Sequence, residues 1–183
     1  MKYIAVFCSS KELDEKYVGP SKEFARLLVK NGYNMIWGGT DTGLMKVIAD
    51  EVQKGGGKLH GVTIERFHNL ARKNADEMIL AKNLGERKAA LLEKGDAIVA
   101  LVGGIGTLDE LTEIIELRKT GHHNKPIVIL NTEGFYEGLR AQLQKMKEDG
   151  FLAPSHELPL IDELAHFADT PEEAIEYINK TLV

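Results

Sequence analysis

Twice in this chain an apolar run ends on paired glycines and gives way at once to a helical pattern. Tyr33 to Trp37 runs into Gly38-Gly39, and Ala97 to Leu101 runs through Val102 into Gly103-Gly104. A strand that stops at glycine and feeds a helix is the joint of a βαβ unit, and two such joints favour a parallel sheet. The remaining pattern agrees. Strands are predicted at Ile4 to Cys8, Tyr33 to Trp37, Leu59 to Ile64, Glu77 to Leu80, Ala97 to Leu101, Ile127 to Leu130 and Leu158 to Ile161. Between and after them, helical spacing covers Glu15 to Asn31, Gly43 to Lys54, Leu84 to Lys94, Thr107 to Lys119, Phe135 to Asp149 and Pro171 to about Thr181. Arg66 to Asp76 fits neither period and reads as a loop or an irregular helix.

Strict alternation with right-handed crossovers gives an α/β fold: a doubly wound, Rossmann-like, mostly parallel sheet with helices on both faces. At 183 residues, with no linker, repeat or low-complexity segment, the expectation is one domain over residues 1–183. Ligands of such sheets bind at the carboxyl ends of the strands, where both glycine turns fall. A formal net charge of -5 argues against a general nucleic-acid binder. Cys8 is the only cysteine, which excludes an intrachain disulfide and a multi-cysteine zinc site. The opening Met-Lys-Tyr-Ile-Ala-Val-Phe-Cys turns polar too soon for a signal peptide, and no apolar run approaches the roughly 20 residues of a membrane span. The expected compartment is the cytoplasm.

Gly103-Gly104-Ile105-Gly106-Thr107 is neither the G-x-G-x-x-G dinucleotide fingerprint nor a P-loop, since no Gly-Lys-Ser/Thr follows. Backbone N–H groups at a helix start attract an anion, and the missing Cβ atoms let a phosphate come close. The same stretch also reads as a plain turn, with Thr107 and Glu110 forming a capping box. What sets it apart is Glu110 in the first turn: a carboxylate beside a phosphate-sized cradle lies where a bound sugar would sit. Gly38-Gly39-Thr40-Asp41-Thr42-Gly43 repeats the pattern, with Asp41 or Thr42 as cap and Lys46 either solvated or on a phosphate. Glu86-Arg87-Lys88 is a solvated helix face or a source of one cation for the cleft. His122 and His123 read as loop residues, Cys8 as a small core residue, and Ser9 and Ser10 as turn caps or ligand donors.

Several of these stretches, in order, resemble one known family. Val102 to Glu110 resembles the P-G-G-x-G-T-x-x-E signature of the LOG ("Lonely Guy") proteins, cytokinin riboside 5′-monophosphate phosphoribohydrolases once widely labelled lysine decarboxylases. Phe7-Cys8-Ser9-Ser10 is similar to the family's F-C-G-S-S, Trp37 to Met45 to its G-G-G-x-x-G-L-M, and Glu86-Arg87-Lys88 to the R-K of M-x-x-R-K. Gly121 to Pro126 and Leu130 to Tyr136 resemble its G-x-H-x-K-P and L-L-N-x-x-G-Y-Y stretches. The chain departs at Val102 for proline, Thr40 for the third glycine, Lys46 for the glycine after Leu-Met, Leu84 for methionine, and in lacking the glycine before Ser9.

The resemblance implies a homodimer with Arg87 and Glu110 as catalytic residues. It implies substrate and phosphate contacts at Gly103, Gly104, Gly106 and Thr107 and helps place Gly39 and Gly43 at the ligand; Ser9 and Lys88 join them as candidates. The expected reaction is hydrolysis of the N-glycosidic bond of a nucleoside 5′-monophosphate, AMP or an N6-substituted AMP of the cytokinin type, to free base and ribose 5-phosphate. Glu110 would stabilise the oxocarbenium-like sugar or activate water, while Arg87 holds the nucleotide. No metal or organic cofactor is needed. The expected partner is the small-molecule nucleotide, with no nucleic acid and no membrane. The alternative is a binding protein of the same fold, a carrier of a nucleotide-like ligand such as molybdenum cofactor. A pyridoxal-dependent decarboxylation would require a Schiff-base lysine, and none stands out.

Overall fold

The computed structural model describes residues 1–152 and 164–182. Seven strands form one sheet, parallel throughout: β1 (Tyr3–Phe7), β2 (Asn34–Trp37), β3 (Leu59–Ile64), β4 (Glu77–Ala81), β5 (Ala97–Ala100), β6 (Ile127–Leu130) and β7 (His166–Ala168). Their order is β4-β3-β2-β1-β5-β6-β7. The chain winds outward from β1 to β4, crosses back to lay β5 against β1, and winds outward again. The order therefore reverses between β1 and β5, and the loops leaving those two strands diverge to open a crevice. Five of the connecting or closing helices are α1 (Glu15–Lys30), α2 (Gly43–Lys54), α3 (Leu84–Lys94), α4 (Ile105–Lys119) and α5 (Glu137–Glu148); the last is α6 (Pro171–Thr181).

The strands β1, β2, β5 and β6 are buried along nearly their whole length, as a sheet covered on both faces requires. Successive side chains alternate between two cores. Ile4 and Val6 join Trp37, Val99 and the faces of α1, α2 and α6. Ala5 and Phe7 join Ile36, Ile98 and the faces of α3 and α4. The sheet is thus sandwiched between two helix layers.

The structure departs from the sequence reading in several places. The segment without a clear period becomes a 3₁₀ segment, Glu65–Leu70, followed by an antiparallel bridge from Ala71 to Thr40. The helix predicted from Thr107 starts at Ile105, with Gly104 as its N-cap. The helix predicted from Phe135 is preceded by a separate turn, Thr132–Gly134, in which Glu133 takes a left-handed φ of 54°. The strand predicted at Leu158 to Ile161 falls outside the described residues. The seventh strand of the described residues is His166–Ala168, which the sequence reading did not mark because it is too short and too polar at its start to show a period of two.

Candidate active site

The crevice holds a cleft of about 440 Å³ at the carboxyl ends of β1 and β5. One wall is the start of α4. Gly103 is required there because a Cβ would lie 2.1 Å from the Thr107 Oγ1. Gly104 and Gly106 face open space, with no atom within 4 Å of a would-be Cβ. Among the described residues no side chain caps the helix, and no backbone carbonyl accepts from the N–H groups of Ile105, Gly106 or Thr107. The capping box is not formed. Thr107 lies inside the first turn and Glu110 points away from it, so the helix end keeps the bare donors that favour an anion.

Glu110 turns instead to Arg87, which α3 brings across the cleft floor. The Arg87 Nη1 donates to the Glu110 Oε1 in a short ion pair, and the two residues are 8% and 6% exposed. Arg87 is fixed at a second point, its Nε donating to the Val62 carbonyl at 3.0 Å. The guanidinium passes directly over Gly38, where a Cβ would stand 2.1 Å from Nη2. Sequence reasoning singled out Gly39 and missed this role of Gly38. The signal was present in the paired glycines, but only the crossing of α3 over the β2 turn shows which one gives way. Burial raises the Glu110 carboxyl above its ordinary range, and the Arg87 charge draws it back only in part. Burial also pushes the Cys8 thiol far up, with Glu110 adding to it, so Cys8 is an inert core residue.

The other candidates divide. Ser9 lines the cleft and its Oγ accepts from the Lys11 N–H at 3.0 Å, a turn cap at the edge of the site. Lys88 also lines the cleft, but its ammonium is matched by Glu113 and, at 3.1 Å, by Asp109. Gly39, Gly43 and Gly103 are not wall residues; they shape the backbone behind the wall. Gly39 and Gly43 take φ values of 76° and 55°. A Cβ on Gly43 would strike the carbonyls of Ser10 and Lys11 at 2.3 and 2.4 Å. The first N–H groups of α2 are occupied, Leu44 donating to Lys11 and Met45 to Ser9. This second helix start therefore has two of its first N–H groups taken up by the β1 loop, and Lys46 pairs with Asp50 at 2.6 Å rather than facing a ligand.

Sequence reasoning missed Arg72. It is 7% exposed, and its guanidinium reaches Asp41 and Asp50 at 2.6 Å each and Gln53 at 2.6 and 3.0 Å. Its own N–H donates to the Gly39 carbonyl at 2.9 Å. Asp41 is thus a partner of Arg72, not a helix cap. Together these bonds strap the 3₁₀ segment to the glycine turn and hold Phe67 and Leu70 in the cleft wall, where Leu84 adds to an apolar side. Nothing in the residues 66–76 taken alone signals this, because the partners lie 19 to 31 positions away.

Residues 45–178 match the family model described as "Possible lysine decarboxylase". The cytokinin riboside 5′-monophosphate phosphoribohydrolase of Arabidopsis thaliana is 34% identical over 157 residues, covering 84% of this chain and 69% of that protein. The enzyme of the same name from Mycobacterium tuberculosis is 31% identical over 154 residues, covering 83% and 82%. The chain belongs to the LOG family. In fold, this LOG protein is also similar to the molybdenum cofactor binding protein of Rippkaea orientalis, with a TM-score of 0.75 at 19% identity over 100% and 98% of the two chains. Of the lysines on the cleft, Lys88 is raised above its ordinary range, first by its bond to Glu113, the opposite of the lowered pKa with which a Schiff-base lysine works.

In this LOG protein, Gly38→Ala should keep the fold and push the guanidinium off Glu110. Loss of the buried pairing is expected to cost about 1–3 kcal/mol by urea denaturation. Gly106→Ala, facing open space, should stay within about 0.5 kcal/mol of wild type. Equal stability of the two variants would contradict the account.

Proposed function

We propose that the protein hydrolyses the N-glycosidic bond of a nucleoside 5′-monophosphate, with AMP or an N6-substituted AMP as substrate. The observation that carries this reading is the buried Arg87–Glu110 pair on the floor of a cleft whose wall is an uncapped helix start. The relatives' shared name, phosphoribohydrolase of a cytokinin riboside monophosphate, supports it.

In this reading the 5′-phosphate sits on the N–H groups of residues 105–107 and the Thr107 hydroxyl. Gly104 and Gly106 give it room, and Gly103 lets the Thr107 side chain take its place beside it. The base lies against Phe67, Leu70 and Leu84. The C1′–N bond then spans the space above Glu110. As that bond breaks, its electrons leave with the base and positive charge gathers on C1′ and the ring oxygen. The Glu110 carboxylate stabilises this cation and takes a proton from the attacking water. Water supplies the hydroxyl on C1′, Glu110 hands the proton it took on to the departing base and returns to its carboxylate, and the products are free base and ribose 5-phosphate. Arg87 fixes the carboxylate and keeps it ionised despite burial. Binding energy at the phosphate orients a reaction several bonds away.

The protein is also proposed to be a homodimer. Leu84 and Ile105, at the starts of α3 and α4, are 50% and 81% exposed beside the cleft, an apolar pair that a second copy would cover. Sedimentation equilibrium should give the mass of two chains; a monomer at micromolar concentration would exclude it.

Incubation with AMP and with isopentenyl-AMP, followed by chromatography, should release free base. Glu110→Gln should lose activity by roughly 10²- to 10⁴-fold with the fold intact. Tight binding of nucleotide without release by either protein would favour a carrier instead. The pH profile is a second check. Because the carboxylate must be ionised and burial raises its pKa, kcat should rise with pH through a limb above 4.5, the ordinary glutamate value. A limb at or below 4.5 would take Glu110 out of that role.

A further inference from the structure

Among the described residues, three cations line the cleft: Lys11, Arg87 and Lys88. Two are already matched by carboxylates. Arg87 is paired with Glu110, and Lys88 with Asp109 and Glu113. Lys11 has no ion pair and no side-chain hydrogen bond among the described residues, and its side chain is exposed. Its backbone, by contrast, is tightly held. The Lys11 N–H donates to the Ser9 Oγ at 3.0 Å, and its carbonyl accepts from Leu44 at 3.1 Å. Ser9 in turn donates its N–H to the Val102 carbonyl at 3.1 Å, which seats this loop beside the Gly103-Gly104 turn. Gly43 makes the seat possible, since any Cβ there would meet the Lys11 carbonyl at 2.4 Å.

A second set of donors stands in the same cleft. Thr107 is 4% exposed and lines the cleft, yet its hydroxyl has no hydrogen-bond partner among the described residues. It stands over Gly103, beside the three bare N–H groups of α4. A hydroxyl open to the cleft and a row of free N–H groups are satisfied together by an anion with several oxygens. Such a dianion still needs a mobile positive charge from the open side. The long lysine side chain supplies it as a point charge without a fixed geometry.

We propose that Lys11, rather than Lys88, is the cation that neutralises the phosphate of the bound nucleotide. This rests on the reading of the cleft as a nucleoside 5′-monophosphate site. The fixed backbone places the stem of Lys11 at the cleft mouth, and the ammonium closes over the phosphate once the helix N–H groups and Thr107 have taken its inner oxygens. No residue of the cited family signature carries this role, because Lys11 lies in the loop after the Cys8-Ser9-Ser10 opening.

The test is calorimetric titration of Glu110→Gln, which holds AMP unhydrolysed, with AMP, adenosine and inorganic phosphate, each with and without Lys11→Ala. Removing Lys11 should weaken AMP and inorganic phosphate by about 5- to 20-fold. Adenosine should change by less than about twofold, and Lys11→Arg should restore most of the loss. AMP and phosphate affinities unchanged by Lys11→Ala would overturn the proposal. So would an equal loss for adenosine, which marks a distorted loop, and so would the absence of phosphate binding before Lys11 is changed. Failure of the hydrolase reading is separate: it shows as no base released from AMP by the wild-type protein, and Lys11 is then judged on inorganic phosphate alone.

Discussion

The ion pair between Arg87 and Glu110 sets the terms for everything around it. Two charges taken out of water lose several kcal/mol of hydration each, and mutual attraction offsets this only when the remaining donors and acceptors are also satisfied. Arg87 meets that condition with its Nε on the carbonyl of Val62, one residue past the last β3 position paired with β2. Gly38 clears the path for the guanidinium. A lysine could not reach carbonyl and carboxylate at once from one planar head. The helix that carries Arg87 covers the sheet with Leu91, Ala90 and Leu92, and Arg87 is the one charged side chain it buries.

The two glycine turns look alike in sequence and differ in use. At the β2–α2 turn the helix N–H groups are consumed by Ser9 and Lys11, and the glycines allow two stretches of backbone to touch. At the β5–α4 turn the corresponding N–H groups are left open, Gly104 and Gly106 face empty space, and Gly103 makes room for Thr107. The first turn is structural support for the β1 loop, and the second is the receptive one. A bare helix end at a topological switch point is where a doubly wound sheet collects anionic ligands. Arg72 adds a third support. By joining Asp41, Asp50 and Gln53 it ties an otherwise irregular segment to α2, so the apolar wall of the cleft is rigid without a regular element of its own.

Much of this was legible in the chain. The alternation of apolar runs and helical spacing fixes a parallel α/β sheet, because a parallel strand needs a crossover and a crossover needs a helix. The joints at Gly38-Gly39 and Gly103-Gly104 mark the ligand end of that sheet. Arg87, Glu110, Ser9 and Thr107 were marked in advance and meet in one cleft. Other assignments did not survive unchanged. Thr107 and Glu110 satisfy the spacing of a capping box, but the competing attraction of a buried guanidinium turns the carboxylate the other way. Lys88, beside Arg87 in sequence, projects onto α4 and is matched by its acids.

The sequence by itself determined which elements form and where their glycine breaks fall, since period and backbone freedom are local properties. It did not determine which glycine yields to which side chain, which helix end stays open, or which lysine is left without a partner. Those outcomes depend on groups 23 to 93 positions apart being brought within hydrogen-bond distance, as Arg87 is to Val62 and Glu110, or Ser9 to Val102. Electrostatic pairing and steric exclusion act over a few ångströms of space, whatever the separation along the chain. Only the folded sheet supplies that proximity.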